Sequence, residues 1–332
     1  MAELLTVTNL TKRFPIVSHG GPLRSSTEYV RAVDGVDFTL RAGETLGLVG
    51  ESGCGKSTLG RCVLRLIEPS AGSVVFEGRD LLALSSEDLR RARRDIQIVF
   101  QDPLASLNPR MTVGQIIAEP LRVHQIVPRA EVDAEVLRLL DQVGLPSLSI
   151  HRYPHEFSGG QRQRVGIARA PALRPRLIVA DEPVSALDVS IRAQILNLFR
   201  DLQEQTGVAL IFIAHDLGAV RQISDRVAVM YLGKIVETGP SETLFENPRH
   251  PYTRALLASI PSVDETAHST RQPERLAGDV PSPIDIPSGC RFRTRCPIAQ
   301  ALCAEVEPAL DPFDNAEPGH RSACHFAAIL EQ

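Results

Sequence analysis

The chain has no long apolar run. Stretches such as Ala209 to Ala214 are only a few residues long, far short of the roughly 18 to 20 residues that a membrane-crossing helix needs, so the sequence predicts no span of its own. Nor is there an excess of positive charge. Thirty-six lysines and arginines stand against 40 aspartates and glutamates, a formal net charge of −4, without the basic footprint that nucleic-acid binding usually leaves. No nucleic-acid partner is therefore expected. The start, MAELLTVTNL, lacks the basic head and apolar core of a secretory leader. A cytoplasmic chain is expected, with its thiols reduced or metal-bound rather than paired in disulfides. No internal repeat is found. What remains is an ordinary globular composition of 332 residues, long enough for one large domain and a smaller one.

The most informative stretch is GESGCGKST, Gly50 to Thr58. It matches the phosphate-binding loop GxxxxGK[ST] in full. Several backbone N–H groups must converge on phosphate oxygens there, so Gly50, Gly53 and Gly55 are expected to adopt positive φ or allow close approach. Ser52, Cys54 and Thr58 complete the cradle. Lys56 is placed to reach the β- and γ-phosphates, and Ser57 to ligate Mg²⁺. An apolar run (Leu46, Leu48, Val49) precedes the loop. Leu59, Cys62, Val63, Leu66 and Ile67 follow at helical spacing, giving the strand, loop and helix order that the motif requires.

Glu3 to Leu10 reads as a strand, and Pro15 to about Glu28 as an exposed insertion. Val36–Leu40, Thr45–Val49, Ser73–Phe76 and Ile96–Phe100 read as further strands, Ser85 or Ser86 as the cap of a short helix, and Asp102–Val113 as a loop. Val132, Val136, Leu139, Leu140 and Val143 form a helical stripe closed by Gly144. Leu177–Ala180 is a continuous apolar run of the kind buried on both faces, ending in Asp181-Glu182. Val208–Ala214 is a second such run, ending at His215, and between them Ile191, Ile195, Leu198 and Leu202 repeat at helical spacing. This is the βαβ alternation of an α/β fold. Residues 261–287 read as a linker.

At the strand ends, Asp181 is placed to hold Mg²⁺ and Glu182 to polarise the attacking water, unless the pair is merely a solvated turn. His215 can contact the γ-phosphate, and Gln101 can sense Mg²⁺ or water. Ser158-Gly159-Gly160-Gln161 precedes a helix and makes a second anion nest in a chain that already has one phosphate loop. Two half-sites in one chain suggest that two chains share each nucleotide.

Taken together, these motifs resemble the ATPase subunit of ABC transporters. Gly50–Ser57 is similar to its Walker A motif, Gln101 to its Q-loop, Ser158–Gln161 to its signature and Leu177–Asp181 to its Walker B. Glu182 is similar to its catalytic glutamate, Ser185-Ala186-Leu187-Asp188 to its D-loop and His215 to its switch histidine. The resemblance implies a RecA-like P-loop α/β core with an antiparallel β subdomain and an α-helical signature subdomain. Phe14, or else Tyr29, would stack on adenine. Phe100-Gln101-Asp102-Pro103, Ser106-Leu107-Asn108-Pro109 and His250-Pro251-Tyr252-Thr253 resemble the oligopeptide and dipeptide importer branch, most like the second of its two ATPases. Phe157, where leucine is commoner, and Pro171, where the helix usually continues, depart from the pattern.

The resemblance implies an ABC ATPase domain over residues 1–240 with its helical part at about 102–170, an extension and linker at 241–288, and a cysteine module at 289–332. Cys290, Cys296, Cys303 and Cys324 lack the CxxC pairs of common zinc sites; four thiolates can hold zinc or an iron–sulfur cluster, or can be plain thiols. The branch implies a [4Fe–4S] cluster, whose charge Arg291, Arg293 and Arg295 would offset unless they are surface residues. ATP and Mg²⁺ are the other expected ligands. The implied partners are two membrane permease subunits, a homologous ATPase in a heterodimer and, indirectly, an extracytoplasmic solute-binding protein, with the chain peripheral on the cytoplasmic face of the membrane. Alternatives are a nickel or other solute importer, or an ABC ATPase of DNA repair or translation.

Overall fold

The computed structural model describes residues 3–19, 25–185, 187–259, 278–314 and 316–329. Its strands in chain order are β1 (Glu3–His19), β2 (Ser25–Arg41), β3 (Thr45–Val49), β4 (Ala71–Phe76), β5 (Arg79–Asp80) and β6 (Ile96–Val99). These are followed by β7 (Leu177–Asp181), β8 (Ala209–Ile213), β9 (Arg226–Tyr231), β10 (Lys234–Pro240) and β11 (Arg321–Ser322). The chain divides into two compact units. One comprises Met1–Leu4, Leu40–Thr45 and Ala83–Ala214; the other comprises Leu5–Thr39, Leu46–Leu82 and His215–Gln332.

In the first unit β6, β7 and β8 run parallel, with Ile98 opposite Val179 and Val179 opposite Ile211. Every residue of β7 and β8 is buried, as their unbroken apolar runs require of strands covered on both faces. The rest of this unit is largely helical. Helices Val113–Val123 and Val132–Gln142 bury Ile116, Ile117, Leu121, Val136, Leu139 and Leu140. The first of them has no counterpart in the sequence reading. Pro120 lies inside it and removes one backbone donor, yet the apolar face and the Thr112–Gln115 capping box hold the helix. A short helix, Pro103–Ser106, also stands where a loop is expected.

In the second unit β2, β1, β4 and β5 form one sheet, with β1 antiparallel to β4 through pairs such as Leu5–Phe76 and Val7–Val74. Of the expected exposed insertion at 15–28, residues 20–24 lie outside the described residues; on either side β1 continues to His19 and β2 begins at Ser25, with Pro15, Ile16, Thr27 and Glu28 exposed. Lys12, Arg13 and Pro15 break the strand pattern in the sequence, but β1 is hydrogen-bonded beside β2 in the sheet. In the same unit β3 is parallel to β9, β10 pairs antiparallel with β9, and β11 closes on β10. The second half of the unit adds helices Leu217–Ile223, Ser241–Glu246 and Pro251–Ala258. Most of the expected linker, residues 260–277, lies outside the described residues.

The packing makes a paired test. A methyl group on Gly114 would meet Ile150 Cγ1 at 2.3 Å, whereas one on Gly166, in the helix Gly159–Arg169, has no neighbour within 4 Å. Gly114→Ala is expected to lower the unfolding free energy by about 1–3 kcal/mol through overpacking. Gly166→Ala is expected to raise it by about 0.5–1 kcal/mol by relieving backbone entropy. Urea titration of the full chain checks both signs.

Candidate active site

The phosphate loop belongs to the second unit, between β3 and the helix Lys56–Val63. Gly50, Gly53 and Gly55 have φ of 150°, 80° and 110°. A Cβ on Gly50 would lie 2.2 Å from the Met230 carbonyl oxygen, and one on Gly55 2.0 Å from that of Ala32. Only bare backbone fits there, and the result is a cradle at a helix N-terminus suited to phosphate. Lys56 is buried; its Nζ donates to the carbonyls of Gly50 at 2.7 Å and Glu51 at 3.0 Å, and lies 3.8 Å from Cys54 Sγ. Burial pushes the Cys54 thiol up, with Lys56 opposing, so this cysteine is a packing residue of the loop. Ser57 and Thr58 are half-buried on the first turn, and Ser52 is exposed at the rim.

The strand-end residues of the first unit form the second group. Asp181, the last residue of β7, is fully buried. Glu182 has φ of 47°, a left-handed conformation for a residue with a side chain, and its N–H donates to the Ile213 carbonyl at 2.9 Å. Ser185 Oγ donates to the Glu182 carbonyl at 3.1 Å. Gln101 Nε2 donates to Glu182 Oε2 at 3.0 Å. The structure thus joins two of the predicted site residues, one after β6 and one after β7. Ser158 accepts from the Gln161 N–H while Gln161 Oε1 accepts from the Ser158 N–H, a reciprocal cap on the helix Gly159–Arg169. Ser158, Gly159 and Gln161 are exposed, so the nest faces solvent. That helix ends at Arg169, with Pro171 starting a 3₁₀ turn. Asp188 caps the helix Val189–Thr206, and the Ile191 N–H on its carboxylate holds it below the usual range.

His215, exposed, opens the second unit just after β8. Phe14 is half-buried on β1 with the Lys12 ammonium 4.9 Å above its ring; Tyr29 is exposed on β2. Ala186 of the expected D-loop lies outside the described residues.

Three functional candidates escaped the sequence reading as site residues. The Glu51 N–H donates to Tyr252 Oη at 2.8 Å, and Arg295 Nη1 and Nη2 donate to the Glu51 carboxylate at 2.7 and 3.0 Å. Tyr252 was legible only as part of His250-Pro251-Tyr252-Thr253, and Arg295 only as charge beside a cysteine. Arg291 and Arg295 are buried and paired, Arg291 with Asp34 and Glu307, so neither is a surface residue. Arg293 is bonded to Ser288.

The iron–sulfur expectation receives no support. Among the described residues no group of three or more histidine, cysteine, aspartate or glutamate side chains is placed to hold a metal ion. Cys290, Cys296, Cys303 and Cys324 are free thiols that line one small cavity of about 10 Å³, at the threshold for a single water. Burial pushes the thiols of Cys290 and Cys296 up, and that of Cys324 to about 12. As arranged, the four do not fit a cluster.

The family description for ABC transporters matches residues 33–185, and that for the oligopeptide/dipeptide transporter C-terminal region matches residues 236–303. The oligopeptide transport ATP-binding protein AppF of Bacillus subtilis is 52% identical over 324 residues, 97% of each chain. The chain belongs to the ABC transporter family. The oligopeptide transport ATP-binding protein OppF of Salmonella typhimurium is 52% identical to this ABC ATPase over 309 residues, 93% of this chain and 92% of its own. Among solved structures, the dimeric ATP-binding cassette MJ0796 bound to ADP and Pi is 29% identical and has a TM-score of 0.63, covering 71% of this chain and 98% of its own. CbiO1 of Clostridium perfringens, part of the transporter complex cbiONQ, is 27% identical with the same TM-score, covering 74% and 92%. The α/β core with mixed sheets is thus that of the ABC cassettes. No helix among the described residues is long and apolar enough to cross a membrane.

The support of Tyr252 has a pH signature. His250 Nδ1 accepts from the Tyr252 N–H at 3.1 Å and caps the helix Pro251–Ala258; burial lowers the histidine from 6.5 to about 4. Between those values the unfolded chain takes up a proton that the folded chain refuses, so stability falls as pH drops. Lowering pH from 7 to 5 is expected to cost about 2 kcal/mol through this group. His250→Asn, which keeps a capping acceptor, is expected to flatten the slope, as read by denaturant unfolding at both pH values.

Proposed function

We propose that this ABC ATPase energises import of di- or oligopeptides through a separate membrane permease. The observation that carries the reading is likeness along nearly the whole chain, including the C-terminal region, to proteins named for oligopeptide transport. The partners in this reading are two permease subunits, a homologous ATPase and, beyond the membrane, a solute-binding protein; the chain sits at the cytoplasmic face. Residues 1–240 are the ATPase domain, 241–288 the extension and linker, and 289–332 the cysteine module.

In this reading Lys56 and the loop N–H groups neutralise the β- and γ-phosphates, and Ser57, Asp181 and Gln101 would hold Mg²⁺. The ion's contribution is to offset charge on the phosphates. Phe14 stacks on adenine. Glu182 takes the proton of the attacking water, and its bond to Gln101 orients the carboxylate before substrate arrives. His215 orients the γ-phosphate. Ser158 to Gln161, exposed at a helix N-terminus, close the partner's phosphate loop, with Asp188 near that contact, so nucleotide joins the two ATPases and its hydrolysis releases them.

In the reconstituted complex, peptide-loaded binding protein is expected to raise ATP turnover severalfold. Turnover indifferent to the membrane subunits, or stimulated by nickel-loaded binding protein, DNA or ribosomes, contradicts the peptide reading. The narrower reading of residues 289–332 as an iron–sulfur module has no support in the arrangement of its thiols, and no step of hydrolysis passes through them. Iron, sulfide and zinc analysis after anaerobic purification decides it: iron and sulfide in [4Fe–4S] proportion support a cluster, and metal-free protein with four titratable thiols removes it.

A further inference from the structure

We infer that Arg295 is a positioning residue for the phosphate loop: through its paired bonds to Glu51 the C-terminal extension braces the loop for MgATP within the same chain. The inference rests on the reading of Gly50–Thr58 as the phosphate loop.

Glu51 is held at both ends from outside the loop. Its N–H is fixed by Tyr252 Oη, and its carboxylate by both terminal nitrogens of Arg295. The holders are themselves immobilised. Tyr252 is fully buried, its ring centroid 4.7 Å from Tyr231 and 5.4 Å from Phe292. Arg295 is 8% exposed, its guanidinium lies 6.0 Å from the Tyr231 ring centre, and its N–H donates to the Phe292 carbonyl at 2.9 Å. A bidentate, shielded arginine–carboxylate pair is stronger and more directional than an exposed ion pair. The same Glu51 presents its backbone carbonyl to Lys56 Nζ at 3.0 Å. One residue therefore links the brace to the lysine that binds phosphate. Residues 252, 292 and 295 all fall in the region matched by the oligopeptide/dipeptide C-terminal description.

In this inference Arg295 acts on the loop through Glu51 and not on the phosphates. Its loss should therefore disorder the empty loop more than the occupied one, and weaken capture of MgATP rather than the chemical step. In the full chain assembled with its partners, Arg295→Gln is expected to raise KM for MgATP about tenfold while kcat stays within about twofold. The dissociation constant of a fluorescent ATP analogue with Mg²⁺ is expected to rise in parallel. Arg295→Lys, which keeps charge and the buried stem but loses the fork, should fall between. Glu51→Gln combined with Arg295→Gln should be no worse than Arg295→Gln alone, and Arg293→Gln should bind as the native chain does.

The outcomes separate cleanly. If Lys56→Ala binds the analogue with native affinity, the loop assignment itself fails. If Lys56→Ala loses binding while Arg295→Gln and Arg295→Lys keep native KM and affinity, the loop stands and the brace is overturned. Additive effects of the Glu51 and Arg295 substitutions also overturn it. Should Arg295→Gln prove poorly soluble, Arg295→Lys tests the brace in its place: a raised KM with kcat kept supports it, and native KM and affinity overturn it.

Discussion

A phosphate-binding loop must leave its backbone bare, and this requirement shapes much of the second unit. Gly50 and Gly55 are pressed so closely on the carbonyls of Met230 and Ala32 that no side chain fits. The loop therefore depends on what backs it. That backing is the turn between β9 and β10, where the Gly233 N–H donates to the Cys54 carbonyl and the Gly233 carbonyl accepts from the Asp34 N–H. Arg291 fastens the turn in its place, bonded to the Leu232 carbonyl at 2.6 Å and to Asp34. A segment nearly 60 residues downstream of the turn thus holds it, and Arg295 four residues later holds the loop itself.

The first unit meets a different demand, that of holding charge at strand ends. Fully buried strands deliver Asp181 to a dry position, and the chain then turns through a left-handed residue at Glu182. A side chain in that conformation is strained, and the surroundings compensate: the Glu182 backbone is tied to Ile213 and Ser185 and its carboxylate to Gln101. The strain falls on the residue proposed as the base.

Much of this was legible in the sequence because local signals and chemistry coincide. The phosphate loop, β7 with Asp181-Glu182, and the Ser158–Gln161 cap are each written in consecutive residues. The helix Val113–Val123 was hidden by Pro120, whose local penalty is overridden by apolar burial. The extent of β1 and β2 was hidden because pairing between strands, rather than their own composition, sustains them. Glu51 looked like a free position of the motif, and Arg295 stands 244 residues away; nothing local announces such a pair. The cysteines show the opposite case, a suggestive spacing whose thiols gather round one cavity without metal-holding geometry.

Hydrolysis as proposed depends on Glu182 as the base. Its most direct test is ATP turnover and nucleotide affinity of Glu182→Gln beside the native chain, each assembled with its partner subunits. MgATP is expected to bind with native affinity and turnover to fall at least about a hundredfold. Turnover close to native in Glu182→Gln would contradict it.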